Sequence, residues 1–269
     1  MKIVTLSSGS SGNCIYVESD KTKLLVDCGL TGKLAITLMQ EAGINPYELN
    51  AIFVTHEHID HVKGVGVLSR KFNLPIFANE ATWLSMQKKI GKIESHNINV
   101  FKSNTFFNFR DLDVHNLSTF HDAKDPVFFV FYQRNQKISI LTDTGIVSNT
   151  IVDAVKHSDI LILESNHDMD MLLNGPYSYD LKMRIKSDFG HLSNDLASEI
   201  MDEIVSGNGE HLILGHLSKN NNTEEIARKN MTSTLESKGL KVGKEIILDI
   251  AKEYQVGKII DLGGNYSWI

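Results

Sequence analysis

Apolar residues arrive in short unbroken runs at the start of the chain. Lys2-Ile3-Val4, Cys14-Ile15-Tyr16-Val17 and Leu24-Leu25-Val26 predict strands over 2–6, 14–18 and 23–27. The spacing then lengthens to helical: Thr31 is an apt N-cap, Leu34 and Leu38 share an inner face, and Gly43 stops a helix running to about Ala42. Ala51-Ile52-Phe53-Val54 reads as a buried strand, followed by Val65, Leu68 and Phe72 at helical spacing. A strand at 74–77 and a helix from Glu80 to about Ile90 repeat the alternation. The runs at 98–101, 106–109 and 114–117 predict a strand meander, and 127–132 with 137–141 a hairpin. Further on come a helix from Val147 to about His157 and a strand at 160–163. Ser193 caps a helix carrying Leu196, Ile200 and Ile204; a strand follows at 211–214, and Thr223 caps a helix with Ile226, Met231 and Leu235. The tail, 245 to about 248 and 255–262, reads as a closing strand pair.

Strands followed by helices, in two successive series, predict an α/β protein of two mixed β-sheets packed between helices, a four-layer αββα sandwich. Hydrophobic residues make up 42% of the 269 positions, enough for a substantial core, and only four are proline. With no low-complexity linker and no internal repeat, 1–269 reads as one domain. Residues from about 168 to 190 fit the pattern least. They hold Gly175-Pro176 and the basic run Lys182, Arg184, Lys186, and make either a substrate-contacting arm or an exposed loop; the alternating charge also suits a solvated strand.

The apolar run at the N-terminus is too short for a signal peptide, and no stretch approaches the ~18 apolar residues of a membrane span. The two cysteines, Cys14 and Cys28, lack metal-binding pair spacing and read as buried thiols. A cytoplasmic protein with no membrane contact fits these features. The net charge of −6 excludes a global electrostatic case for nucleic acid, so a polyanion has to be held by a local patch.

Against this background one stretch stands out, Thr55-His56-Glu57-His58-Ile59-Asp60-His61. The chain has eleven His in all, and three of them stand with an Asp within six positions on a strand-to-helix loop. Such a loop can turn His56 and His58 one way and Asp60 and His61 another, giving two adjacent cations part of their shells. His121 and Asp143 both fall just beyond strand ends; Asp143, in Asp-Thr-Gly, is either a ligand or a turn residue. Glu164 and His216 also end strands, while His191 precedes the Ser193 cap. Asp27 either orients a ligand by hydrogen bonding or caps the following turn. Ser7–Asn13 is either a backbone nest for an anion or a plain hairpin loop.

Thr-His-Glu-His-Ile-Asp-His followed by His121, Asp143 and His216 resembles the metallo-β-lactamase fold family over nearly the whole chain. Glu164, Gly190-His191-Leu192-Ser193 and Gly215-His216-Leu217-Ser218 resemble its RNase Z-like nuclease branch, and the interval from Asp143 to His216 is too short for the inserted domain of the β-CASP nucleases. The opening Ser/Gly loop, Val26-Asp27-Cys28-Gly29 and Glu164-Ser165-Asn166-His167-Asp168 are more similar to the YycJ/WalJ group of cytoplasmic DNA exonucleases acting from 5′ ends.

The resemblance implies two divalent metal ions, Zn²⁺ or Mn²⁺, with His56, His58 and His121 at one, Asp60, His61 and His216 at the other, and Asp143 between them. Such a pair, ~3.5–4 Å apart, acidifies a water and neutralises charge on a phosphoryl group. Asp60, His191 and Glu164 are then the implied catalytic residues, His191 serving the leaving oxygen with Glu164 orienting it. Lys182, Arg184, Lys186 and Lys219 are candidates to bind substrate, implied to be double-stranded DNA ends, with a role in DNA repair. Two alternatives share the fold: an RNA-processing nuclease of RNase Z type, and a hydrolase of a small thioester, lactone or cyclic phosphate. A metal-stabilised binding module without turnover is a third, disfavoured by the intact ligand set.

Overall fold

The computed structural model describes residues 1–263; residues 264–269, which the single-domain reading of 1–269 includes, lie outside it. The first half of the chain supplies β1 (Lys2–Ser7), β2 (Cys14–Glu18), β3 (Lys23–Val26), α1 (Gly32–Glu41), β4 (Ala51–Phe53), α2 (Ile59–Val62), α3 (Val65–Phe72), β5 (Ile76–Asn79), α4 (Glu80–Ile90) and β6 (Ile98–Phe101). The meander and hairpin are β7 (Thr105–Phe109), β8 (Leu112–Ser118), β9 (Val127–Gln133) and β10 (Gln136–Leu141). Then follow α5 (Asn149–Val155), β11 (Ile160–Glu164), α6 (Met169–Asn174), α7 (Tyr179–Lys186), α8 (Asn194–Glu199), α9 (Met201–Ile204), β12 (Glu210–Gly215), α10 (Glu224–Ser237), β13 (Ile246–Ile250) and β14 (Ile260–Asp261).

These strands form two seven-stranded sheets among the described residues, ordered β14-β1-β2-β3-β4-β5-β6 and β13-β12-β11-β10-β9-β8-β7. Both are mixed. β14 to β3 pair antiparallel and β3 to β6 parallel, while β7 to β10 pair antiparallel and β10 to β13 parallel. Each parallel pair needs a crossover, and helices supply all six: α1, α2 with α3, α4, α5, α6 to α9, and α10. The expected αββα sandwich is therefore the observed one.

The continuous apolar runs follow from this layering, because a strand covered on both faces has no polar side. Along β11, Ile160 and Ile162 face the opposite sheet while Leu161 and Leu163 face the helices. In β4 the same alternation sends Ile52 to the helix layer and Phe53 between the sheets. Phe53 is fully buried among Phe77, Phe107, Phe109, Phe129 and Phe131, with ring centroids 4.9–6.1 Å away. Truncating such a side chain costs about 3–5 kcal/mol. The rigid block it helps to form sits directly below the loop that carries His56 to His61.

Three sequence expectations change. The tail strands do not pair with each other: β13 adds parallel to β12, whereas β14 crosses to the other sheet and pairs with β1. Each satisfies an otherwise open strand edge. The awkward segment is helical, with Asp168 capping α6 through Met171 N and Ser178 capping α7 through Leu181 N. Alternating charges there put Lys182 and Lys186 on one helix face and Arg184 on another. Finally, the helix begun by Ser193 divides at Ile200 into α8 and α9.

Candidate metal centre

The histidines and carboxylates singled out in the sequence converge above the C-terminal ends of the strands, the usual ligand edge of open α/β sheets. Donor atoms within 4.8 Å of one another group as His56, His58 and His121; as Asp60, His61 and His216; as His56, His61 and Asp143; and as Asp143, Glu164, His191 and His216. Asp143 lies at the middle. Its carboxylate oxygens are 3.2 Å from His61 Nε2, 3.5 Å from His216 Nδ1, 3.7 Å from His191 Nδ1 and 3.8 Å from His121 Nε2.

Local backbone explains how a few positions turn so many side chains inward. Asp27, Asp143 and His216 all adopt left-handed φ, at 60°, 58° and 56°, as their strands end. Asp and His are among the few residue types enriched there, and the strain costs on the order of 1–3 kcal/mol each. Gly29 is required by close approach: a Cβ there would stand 1.5 Å from the Asp60 carbonyl oxygen. That contact presses α2 against the β3 end, where Cys28 N donates to His61 O and Asn13 N to Asp60 O, each at 2.8 Å.

Five of the rings are oriented from behind. Asp27 accepts from Thr55 N and Thr55 Oγ and stands 2.8 Å from His61 Nδ1, so it orients this histidine rather than capping a turn. His56 Nδ1 is 2.9 Å from Thr55 Oγ, and His121 Nδ1 is 3.0 Å from the Gly190 carbonyl. Glu164 Oε1 serves two histidines at once, 2.7 Å from His191 Nδ1 and 2.9 Å from His216 Nδ1; its Oε2 accepts from Thr144 N. Burial works against the Glu164 anion, but the His191 and His216 charges prevail and hold its pKa at about 2. Asp143 is likewise held well below the usual carboxylate range, burial being overcome by His216 and His61. Burial pushes His56 well below the usual imidazole value, with His61 adding to the effect.

The donors fit divalent metal ions on an observation independent of sequence. His56 Nε2, Asp143 Oδ2 and His216 Nε2 are buried without a hydrogen-bond partner, and all three belong to the groups above. Buried polar atoms left unpaired are costly, so three of them aimed into one polar cluster require a cation or ordered water. Imidazole and carboxylate donors without thiolate suit Zn²⁺ and Mn²⁺ alike.

The expected substrate-binding lysines and arginine are not brought together. Arg184 reaches the site, its Nε pairing with Asp122, whose other oxygen is 3.5 Å from His121 Nε2. Lys182 turns back to the Leu173 carbonyl at 2.8 Å, and Lys186 shares its face of α7 one turn on. Lys219 lines a surface cavity of about 410 Å³ beside Ser8 and Lys252. The Ser7–Asn13 loop is a turn whose donors are taken: Ser8, Gly9, Ser11, Gly12 and Asn13 all donate their backbone N–H within the protein, three of them to residues beyond the loop. It packs on the site instead, Ser8 Oγ accepting from His216 N and Asn13 Nδ2 lying 3.0 Å from His61 Nε2. Asn13, Thr55 and Gly190 stand in stretches the sequence singled out, but their roles, like that of Asp122, had no signal there, since each acts through a neighbour brought close only by folding.

No helix among the described residues is long and apolar enough to cross a membrane. Both cysteines are buried and free. The sequence profile of the metallo-beta-lactamase superfamily matches residues 8–222. Over 239 residues the chain is 42% identical to exodeoxyribonuclease YycJ of Bacillus anthracis, covering 89% of this chain and 90% of that one. It is also 42% identical to exodeoxyribonuclease WalJ of Streptococcus pneumoniae serotype 2 over 244 residues, 90% of this chain and 91% of the other. Among solved structures, the metallo-beta-lactamase fold protein YhfI of Bacillus subtilis superposes with a TM-score of 0.71 at 19% identity, over 96% of this chain and 100% of that one, a likeness of fold.

Proposed function

The chain belongs to the metallo-β-lactamase superfamily, and on that premise we propose that it is a dinuclear metal-dependent DNA exonuclease acting from 5′ ends, cytoplasmic and serving DNA repair. The observation that carries this reading is the complete donor set around Asp143, with its three unpaired buried atoms, in a chain so similar to two exodeoxyribonucleases along most of its length. His56, His58 and His121 would hold one ion, Asp60, His61 and His216 the other, and Asp143 would face both. When bound, the ions supply Lewis acidity toward a phosphoryl group and acidify a water.

The chain's own residues do the rest. Glu164, ionised and acceptor-only, takes the Nδ1–H of His191 and so directs His191 Nε2 outward. A proton on Nε2 is then positioned for the leaving oxygen of a phosphodiester. His191 is only partly buried, its side chain 21% exposed, in keeping with contact to substrate. Arg184 at Asp122 offers a guanidinium for a neighbouring phosphate.

The test is cleavage of duplex DNA labelled at one end or the other, with Mn²⁺ or Zn²⁺, beside His58→Ala. Early release of the 5′ label by wild type alone is the expected result. Cleavage of RNA but not DNA would transfer the reading to an RNA-processing enzyme, and undiminished cleavage by His58→Ala would defeat it.

A further inference from the structure

Phe189 is an exposed aromatic side chain, 56% accessible, immediately before Gly190. Its ring lies 6.3 Å from that of Phe120, at 52°, and Phe120 is the residue before His121. Both phenylalanines are therefore chain neighbours of the hydrogen bond joining His121 Nδ1 to the Gly190 carbonyl. Phe120 packs partly into the helix-side core. Phe189 does not share that shelter, and its face is open to solvent two residues before His191.

The segment is pinned in place. A Cβ on Gly145 would come within 2.4 Å of the Ser187 and Asp188 carbonyl oxygens, and one on Gly190 within 2.1 Å of the Ile185 carbonyl oxygen. His191 N donates to Ile185 O at 2.9 Å and Gly190 N to Ser187 O at 2.8 Å. This segment carries both Arg184, paired to Asp122, and the Phe189–Phe120 ring pair. A guanidinium and an aromatic shelf beside one centre match a nucleotide's two halves, the phosphate and the base.

Resting on the phosphodiesterase reading above, we propose that Phe189, backed by Phe120, is the stacking platform for a nucleobase next to the scissile phosphate. Stacking is indifferent to base identity, since every base has a π-face. The platform holds a base that has left its pair, so a frayed or single-stranded end binds better than a blunt one.

The test compares wild type with Phe189→Ala, Phe189→Leu and Phe189→Trp on two oligonucleotides. One carries 2-aminopurine at the position flanking the cut, the other an abasic analogue there. Binding is followed in Ca²⁺ or EDTA by 2-aminopurine fluorescence and by anisotropy, and cleavage in Mn²⁺. We expect wild type to quench the 2-aminopurine and to bind that strand at least about tenfold more tightly than the abasic one. Phe189→Ala and Phe189→Leu should lose both the quenching and the preference while binding and cutting the abasic strand as wild type does. Phe189→Trp should keep them. An equal loss on both strands, or no loss on either, overturns the platform while leaving the nuclease reading standing. Failure of the wild type to bind or cut DNA at all overturns both.

Discussion

Glu164 Oε1 lies 2.7 Å from His191 Nδ1 and, through the same oxygen, 2.9 Å from His216 Nδ1. One buried carboxylate thus couples a candidate metal ligand to the candidate proton donor. Holding the carboxyl at about 2 keeps it an acceptor throughout the working pH range.

That coupling separates the two histidines by experiment. We expect His191→Ala to lower kcat about 10²–10⁴-fold on DNA, with little change in KM. On a p-nitrophenyl phosphodiester, whose leaving group departs without a proton, the loss should nearly vanish. Glu164→Gln should show the same leaving-group dependence and also weaken metal binding, because it disturbs His216. Equal losses on both substrates would remove His191 from the leaving-group role.

Asp27 makes a comparable claim on His61, at 2.8 Å, while its oxygens also accept from the Thr55 amide and hydroxyl. Partners that orient a ligand from behind are typically worth about 10–100-fold in metal affinity. Asp27→Asn is therefore expected to raise the Kd for Zn²⁺ by that factor, with the unfolding temperature of the metal-free protein changing far less. Competition with a chromophoric chelator measures the first and a thermal melt the second. Unchanged affinity would mean that Asp27 serves only the Thr55 turn.

Much of this architecture was legible in the chain itself, and the reasons are local. A strand buried on both faces leaves an unbroken apolar run, so β4 and β11 announced themselves, and ligands placed at strand ends appear beside those runs. Asp143 and His216 could be placed there, though not the left-handed backbone that turns them inward. What stayed hidden depends on distant pairing. Nothing near Ile260 says that β14 crosses to β1, and nothing near Lys182 says that its ammonium turns back to Leu173. An alternating charge pattern over 182–186 fits a strand as well as a short helix, and the caps at Asp168 and Ser178 decide it.

The unpaired atoms His56 Nε2, Asp143 Oδ2 and His216 Nε2 bear on stability as well as chemistry. A ligand that binds only the folded state stabilises it by mass action, by about 4 kcal/mol at a thousandfold excess over Kd. Adding Zn²⁺ or Mn²⁺ to the metal-free protein should raise the melting temperature by several degrees, saturating at two ions per chain. Asp143→Asn, which keeps the shape and removes the charge, should abolish most of that rise. A metal-insensitive melting temperature would deny that these atoms await cations.

Away from the centre, Asp111 ties the β2–β3 turn to the other sheet. Its carboxylate accepts from the Thr22 and Ser19 hydroxyls, from Lys21 N at 2.9 Å and from Gln133 Nε2 at 2.8 Å. Burial works to raise its pKa, but the bonds from Thr22, Ser19 and Lys21 lower it below the usual aspartate value. A carboxyl depressed on folding contributes stability that is full above its unfolded pKa of about 3.9 and fades as pH falls through the folded value. The carboxyl stands largely in reach of solvent, which screens the effect, so Asp111→Asn should destabilise the protein only modestly at pH 7, by about 0.5 kcal/mol. The gap from wild type should narrow as pH drops below about 4, where the unfolded chain's carboxyl takes up its proton while the folded one still resists it. Denaturant melts of both proteins at pH 7 and pH 3.5 measure the two gaps. If they are equal, Asp111 joins the sheets by shape alone and its charge contributes nothing.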